Sequence, residues 1–431
     1  MTTFEQIIPT ITATLEQHKQ LFNELGAIVI NRDLNSRIRL IVSNDVRNNV
    51  NLSDPLSQLV KDLSSNLHPH SYPADTMVLY EDNMDDFMRE AQGFSLGGFE
   101  NVIVVDRLTS ESRWSKIEPT SKGAPRVVFF SIKGGVGRST AMAVTAWFLA
   151  QQGKKVLVVD LDLESPGLSS SLLPKNRRPT YGITDWLVED LVDNGDSIIE
   201  DMYATSELSH DGEIYVVPAY GASPGDYINK LGRAWMPKLN PPGKPEPWHS
   251  RLNRLLNQLE NKIKPDVILI DSRSGIDEVA SSCVTDIGAK LVLLFAIDGE
   301  QTWEGYRVLF EYWKQNGSAS EIRERLQQVG AMIPEIHQQE YFSSINEQSC
   351  DLYSETLYDE IPAGDSGEDL FNFEKSDSNA PHYPWSIKWN RGFAALSSLR
   401  DRVSHIEPIE VQSIFGPLVD GISTFINCDD K

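Results

Sequence analysis

Apolar side chains recur at helical spacing over residues 4–25 and stop near Gly26, which predicts one amphipathic helix. Short β-rich runs follow at 27–30, 38–42, 77–80 and 101–105, with helical stretches at 54–66 and 84–92. This mixture predicts a small α/β domain over residues 1–110, in which no chemical motif stands. The stretch 107–125 is polar, with Gly123 and Pro125 near its end, and is read as a linker at 111–125.

From residue 126 the pattern changes. RVVFFSI (126–132) is continuously apolar, as a strand buried on both faces must be. A Gly-rich turn and a helix over 138–152 come next, then a second such strand at 154–162. Further strands are predicted at 212–219, 266–272, 289–298 and 329–335, with helices at 248–263, 302–314 and 389–427. Strand, turn, helix and strand in this order require crossover connections. The fold class is therefore α/β: a mostly parallel central sheet flanked by helices over 126–431, behind a small N-terminal α/β domain. Residues 237–247 are Pro-rich and read as a surface loop; residues 347–377 are acidic and read as a solvated loop or edge.

Charge then limits the partners. The chain carries 62 acidic and 39 basic residues, a net charge of −23. That balance argues against non-specific binding to nucleic acid or to an anionic membrane surface. No apolar run reaches the length of a membrane span, and the N-terminus lacks the pattern of a secretory signal, so a cytoplasmic location is expected. Three widely separated cysteines, Cys283, Cys350 and Cys428, form no CxxC pair, so reduced thiols are expected rather than disulfides or a zinc site. His68 and His70 flank a proline without a third ligand nearby, so no metal is assigned to them.

The chemistry concentrates at Lys133-Gly134-Gly135-Val136-Gly137-Arg138-Ser139-Thr140, between a buried strand and a helix. Glycines let backbone N–H groups turn inward around phosphate oxygens, and the helix N-terminus adds its partial positive charge. Ser139, after the basic residue, can ligate Mg²⁺, and Thr140 can reach an α-phosphate. Two positions depart from the general G-x-x-x-x-G-K-[ST] motif: Ile132 replaces the first glycine and Arg138 the lysine.

This block resembles the deviant Walker A loop of ParA/MinD-type P-loop ATPases, K-G-G-x-G-K-[ST]-[ST]. The resemblance covers roughly residues 126–425. It implies ATP and Mg²⁺ as ligands and an ATP-sandwiched homodimer in which Lys133 touches the partner's phosphates. Asp160-Leu161-Asp162 ends the second strand, as the switch I region does in that family. By resemblance, Asp162 positions the attacking water and Asp160 has an Mg²⁺-side or structural role. Asp271 ends VILID at the Walker B position, where a carboxylate orients the metal's water shell. Arg273 stands just beyond it, placed to sense the γ-phosphate or to reach a partner subunit, or to form a surface ion pair. The wording of D-L-E-S-P-G-L (162–168) and D-S-R-S-G (271–275) resembles a KGGVGR-type branch found beside bacterial signalling and antiviral defence modules. No N/T-K-x-D follows the late strands, which favours ATP over GTP.

These readings imply an ATP-driven molecular switch that hydrolyses slowly, since Arg138 has a planar fork in place of a compact ammonium. Its output would be an unidentified protein partner. The alternatives are a nucleotide-binding scaffold without hydrolysis and a partitioning ATPase acting on DNA. A membrane-positioning role is disfavoured by the acidic end of the chain, GPLVDGISTFINCDDK.

Overall fold

The computed structural model describes residues 2–47, 49–84, 93–107, 114–209, 211–240, 244–362, 370–394 and 399–427. The chain divides into two compact units, Met1–Glu111 and Ser112–Lys431.

In the first unit, the helix expected at 4–25 is two helices, α1 (Ile7–Gln17) and α2 (Lys19–Leu25), parted at His18. His18 leaves helical geometry (φ −112°, ψ 20°), and its Nε2 lies 2.9 Å from Asp62 Oδ2. Strands β1 (Ile28–Arg32) and β2 (Ile38–Ser43) pair antiparallel. Helix α3 (Val50–Asn66) follows, then β3 (Val78–Glu81), β4 (Phe94–Ser95) and β5 (Val102–Asp106). The sheet order is β3-β2-β1-β5-β4, with β1 parallel to β5 and β2 parallel to β3. Ile7, Ile11, Leu59 and Leu63 of α1 and α3 share one core with Ile28, Ile30, Leu40 and Val104 of the sheet. Beyond Met84, the helix expected at 84–92 lies outside the described residues.

The second unit begins earlier than the sequence suggested. Of the expected linker, the described residues 114–125 run along this unit: Ile117 is buried, Trp114 packs 6.0 Å from the Phe130 ring, and Glu118 N–H donates to the Thr285 carbonyl. Then come β6 (Arg126–Ser131), α4 (Arg138–Gln151), β7 (Lys155–Asp160), α5 (Ile183–Glu189), β8 (Ala204–Thr205), β9 (Glu213–Val217) and α6 (Tyr227–Ala234). The Pro-rich segment is not only a loop. It holds β10 (Lys238–Asn240) and β11 (Lys244–Glu246), paired antiparallel. The chain continues through α7 (Trp248–Ile263), β12 (Val267–Asp271), β13 (Leu291–Ala296), α8 (Glu300–Gln315), β14 (Leu326–Ile333), α9 (Gln338–Thr356), β15 (Trp385–Lys388) and α10 (Pro408–Asn427).

The large sheet runs β15-β14-β13-β6-β12-β7-β9-β8, parallel throughout except for β8. Alternation along each strand feeds two cores. Val128, Phe130, Leu157, Val159, Ile268 and Ile270 face one helical layer that includes Leu252, Leu255 and Leu259 of α7. Val127, Phe129, Val156, Val158, Val267 and Leu269 face the other, with α4 and α10. This double burial is why the strands read as unbroken apolar runs. Helix α9 overturns the loop reading for the first part of the acidic stretch: Ile345, Ser349, Leu352, Tyr353 and Thr356 bury one face, and the acidic residues take the other. The helix expected at 389–427 is not continuous: helical residues at Arg391–Ala394 and Leu399–Ser404 precede a break at 405–407, after which α10 begins. Trp385 opens β15 beside β14, so the His382–Trp385 segment packs on the sheet. Among the described residues no helix is long and apolar enough to cross a membrane, and no cluster of three or more His, Cys, Asp or Glu side chains is built to hold a metal.

Candidate functional site

Chain order around β6 fixes where a ligand can sit. From β6 the chain passes to β7, two places away, returns through β12 between them, and then crosses to β13 on the other side. The carboxyl end of β6 is thus a point where successive connections part, the usual place for a ligand crevice in an open parallel sheet. The ends of β6, β7 and β12 lie side by side, since Asp271 pairs in register with both Phe129 and Asp160.

The loop from Ile132 to Gly137 leaves β6 and enters α4. Gly135 (φ 76°) and Gly137 (φ 81°) take left-handed backbone conformations that a side chain would strain. A Cβ at either position would meet nothing within 4 Å, so the loop faces open space. The N-terminus of α4 carries no side-chain cap, which leaves its first N–H groups available for an anion. Val136 is buried and anchors the loop, while Gly134, Gly135 and Gly137 are exposed and Lys133 and Thr140 are half-buried. Ile132, where the general motif has glycine, packs against α8: a Cβ on Gly305 would fall 2.4 Å from its Cγ2.

Beneath the loop lies a buried polar cluster. Ser139 Oγ donates to Asp271 Oδ2 at 2.7 Å. Arg138 turns inward, not toward the loop's open face. Its Nε donates to Asp271 Oδ1 at 2.9 Å, its Nη1 donates to Ser131 Oγ at 2.7 Å, and its Nη2 lies 3.5 Å from Asp162 Oδ2. Asp160 and Asp271 are essentially fully buried, and Asp162 is half-buried. Burial, and then the neighbouring Asp271 carboxylate, push the Asp162 carboxyl above its ordinary range, with Arg138 opposing them.

Two strand-end loops close around this cluster. Gly275 N–H donates to the Ser131 carbonyl (2.9 Å), which ties the turn after β12 to the start of the P-loop. Arg273 does not stand alone as a sensor. Its Nη1 lies 2.6 Å from Glu164 Oε1 and its Nε 3.1 Å from Asp277 Oδ2, so it bridges the segment after β7 to the segment after β12. Tyr227 on α6 donates its hydroxyl to the Leu163 carbonyl at 2.6 Å. Burial pushes this phenol up to about 12, so it stays a donor at neutral pH. Sequence reasoning missed Tyr227, Glu164 and Asp277. Tyr227 lies 64 residues from its partner and carries no local signal. Glu164 stands inside a quoted motif, and an acid facing Arg273 could have been sought there.

The residues present fit a nucleotide and Mg²⁺. The loop offers an open backbone cradle, and Ser139 with Asp271 offers the hard oxygen donors that Mg²⁺ takes.

The chain is similar in part to known proteins. The sequence model of the CobQ/CobB/MinD/ParA nucleotide binding domain matches residues 127–357, more than half of the chain. The septum site-determining protein MinD of Buchnera aphidicola subsp. Schizaphis graminum is 27% identical over 170 residues, which are 39% of this chain and 49% of that protein. The match thus spans about half the length of that relative. Among solved structures, pNOB8 ParA bound to nonspecific DNA aligns with 14% identity over 72% of this chain and 100% of that one, at a TM-score of 0.42. MinD in the MinC:MinD cell division complex of Aquifex aeolicus aligns with 17% identity over 70% and 96%, at 0.41. With the matched region running from β6 into the residue after α9, and enclosing the P-loop and both carboxylate strand ends, the chain belongs to the CobQ/CobB/MinD/ParA nucleotide-binding family.

Proposed function

We propose that this protein is an ATP-binding, slowly hydrolysing molecular switch that works as an ATP-sandwiched homodimer and controls a protein partner in bacterial defence or signalling. One observation carries the nucleotide reading: the P-loop, Asp162 and Asp271 converge at the carboxyl ends of three adjacent strands. The backbone of Gly134–Gly137 and the start of α4 would receive the phosphates. Ser139 and Asp271 would hold Mg²⁺, directly or through its waters, with Asp160 behind them. When bound, the metal offsets charge on the phosphate oxygens. Asp162, beside Arg138 and with 17% of its side chain exposed, would orient a water. Arg138 would supply a positive charge to the β- and γ-phosphates, and the contacts it would have to leave support a slow rate. Lys133 is half-buried and pairs with no carboxylate among the described residues, and a second subunit's phosphates would supply its counter-charge.

The test is molar mass by light scattering without nucleotide, with ADP and with ATP–Mg²⁺, for wild type and Lys133→Ala. A monomer-to-dimer shift with ATP, lost in Lys133→Ala, is the expected result. One unchanged mass in every condition overturns ATP-driven dimerisation. The DNA-partitioning alternative is tested by gel shift with ATP at low salt. With a net charge of −23, no salt-sensitive binding is expected.

A further inference from the structure

Arg138 is more than a substitute for lysine. This inference rests on the ATP–Mg²⁺ reading of the site and concerns its regulation. The guanidinium is nearly buried, with 8% of its side chain exposed, and each of its three nitrogens faces a different oxygen: Ser131 Oγ, Asp271 Oδ1 and Asp162 Oδ2. The second oxygen of Asp271 accepts from Ser139. Ser139 Oγ, both oxygens of Asp271 and Asp162 Oδ2 are therefore engaged within the chain, the two carboxylates around one positive charge. A lysine would do this less well, because its three donors radiate from one nitrogen on a flexible stem, whereas the guanidinium's nitrogens sit apart in a rigid plane. A divalent cation entering the same carboxylates would meet a like charge 2.9 Å from Asp271 Oδ1.

We propose that Arg138 is the resident cation of the Ser139/Asp162/Asp271 site. It keeps divalent metal out until a polyphosphate offers the guanidinium better acceptors, so that metal and nucleotide bind as one coupled event. Two physical consequences follow. Metal affinity is suppressed in the protein without nucleotide. By linkage, each ligand raises the affinity for the other by the same factor, and that factor depends on Arg138.

The experiment titrates Mn²⁺, read as loss of the free-ion signal in electron paramagnetic resonance, into the full chain without nucleotide. Wild type is expected to bind no stoichiometric Mn²⁺. Arg138→Gln is expected to bind one Mn²⁺ at least about tenfold more tightly, within the range usual for coupled sites. Asp271→Asn on the Arg138→Gln background should abolish that binding and so locate it. Arg138→Lys keeps the charge but not the three-way span, and should gain affinity by less. Thermal unfolding of each variant verifies that it is folded; if Arg138→Gln is not, the comparison of wild type with Arg138→Lys decides. Equal Mn²⁺ affinity in wild type and the Arg138 variants overturns the proposal, as does tight binding by wild type. A fluorescent ATP analogue titrated into wild type separates the two readings. Its failure to bind would sink the ATP reading, whereas the Mn²⁺ comparison uses no nucleotide and judges the masking by itself.

Discussion

Asp190 is the residue whose loss should most damage the nucleotide-binding unit without touching the P-loop. Its carboxylate accepts from Arg251 Nε (2.8 Å), Arg254 Nη2 (2.8 Å) and Nη1 (3.2 Å), and Lys238 Nζ (3.1 Å). In Asp190→Ala, Arg254 keeps Glu246 and Lys238 keeps Asp193. Among the described residues Arg251 keeps only the Met236 and Leu187 carbonyls, and its side chain is fully buried. Leaving a buried guanidinium without its counter-charge costs about 3–5 kcal/mol. For a unit of roughly 320 residues, an unfolding entropy of about 2.1 cal/mol/K per residue turns 4 kcal/mol into a Tm drop of about 6 °C. Tryptophan fluorescence is the right probe, because all nine tryptophans lie beyond residue 113 and report only on the second unit. Glu200→Ala, which breaks an exposed pair with Lys262, should leave Tm unchanged within error. Burial raises the Asp190 carboxyl, but hydrogen bonds from Arg254, Arg251 and Lys238 outweigh it and hold the group below its ordinary 3.8. Its stabilisation is thus complete above that value and fades as pH falls through the lower folded-state value, so the gap between wild type and variant should close in acid. A Tm loss under about 2 °C, or one no larger than that of Glu200→Ala, would refute the reasoning.

Three further outcomes are expected. Gly137→Ala meets open space but is held at φ 81°, so it should cost about 1–2 kcal/mol of stability and abolish binding of a fluorescent ATP analogue; retained binding would show that the loop does not cradle phosphate. Tyr227→Phe removes the hydrogen bond to Leu163 O and should weaken ATP about fivefold, for about 1 kcal/mol, with little change in Tm; unchanged affinity would detach Tyr227 from the site. Burial pushes the Asp286 carboxyl up to about 7, with His249, Glu118 and Lys116 as its charged or titratable neighbours. The folded chain then keeps a proton that the unfolded chain releases near 3.8, so stability should fall by up to about 4 kcal/mol as pH rises from 4 to 7. Urea midpoints at pH 5 and 8 should differ by less in Asp286→Asn than in wild type.

The strands of the second unit were legible because a sheet covered on both faces demands unbroken apolar runs, and β6, β7, β12 and β13 are such runs. The P-loop was legible because its glycines answer a local backbone requirement, visible as positive φ at Gly135 and Gly137. Helix α9 and strand β15 were not. The acidic face of α9 hid a buried stripe, and four-residue β15 is a strand only because β14 offers it an edge. At the break, His18 meets Asp62, 44 residues away, a contact that no local pattern announces. Local chemistry thus determined which residues could meet a phosphate. Only the tertiary structure decided that Arg138 turns to Asp271 and Asp162, that Arg273 joins Glu164 to Asp277, and that Tyr227 holds Leu163. The physical reason is that a charged side chain's direction is set by the opposite charges the fold brings within a few ångströms, and these come from strand ends and loops far apart in the chain.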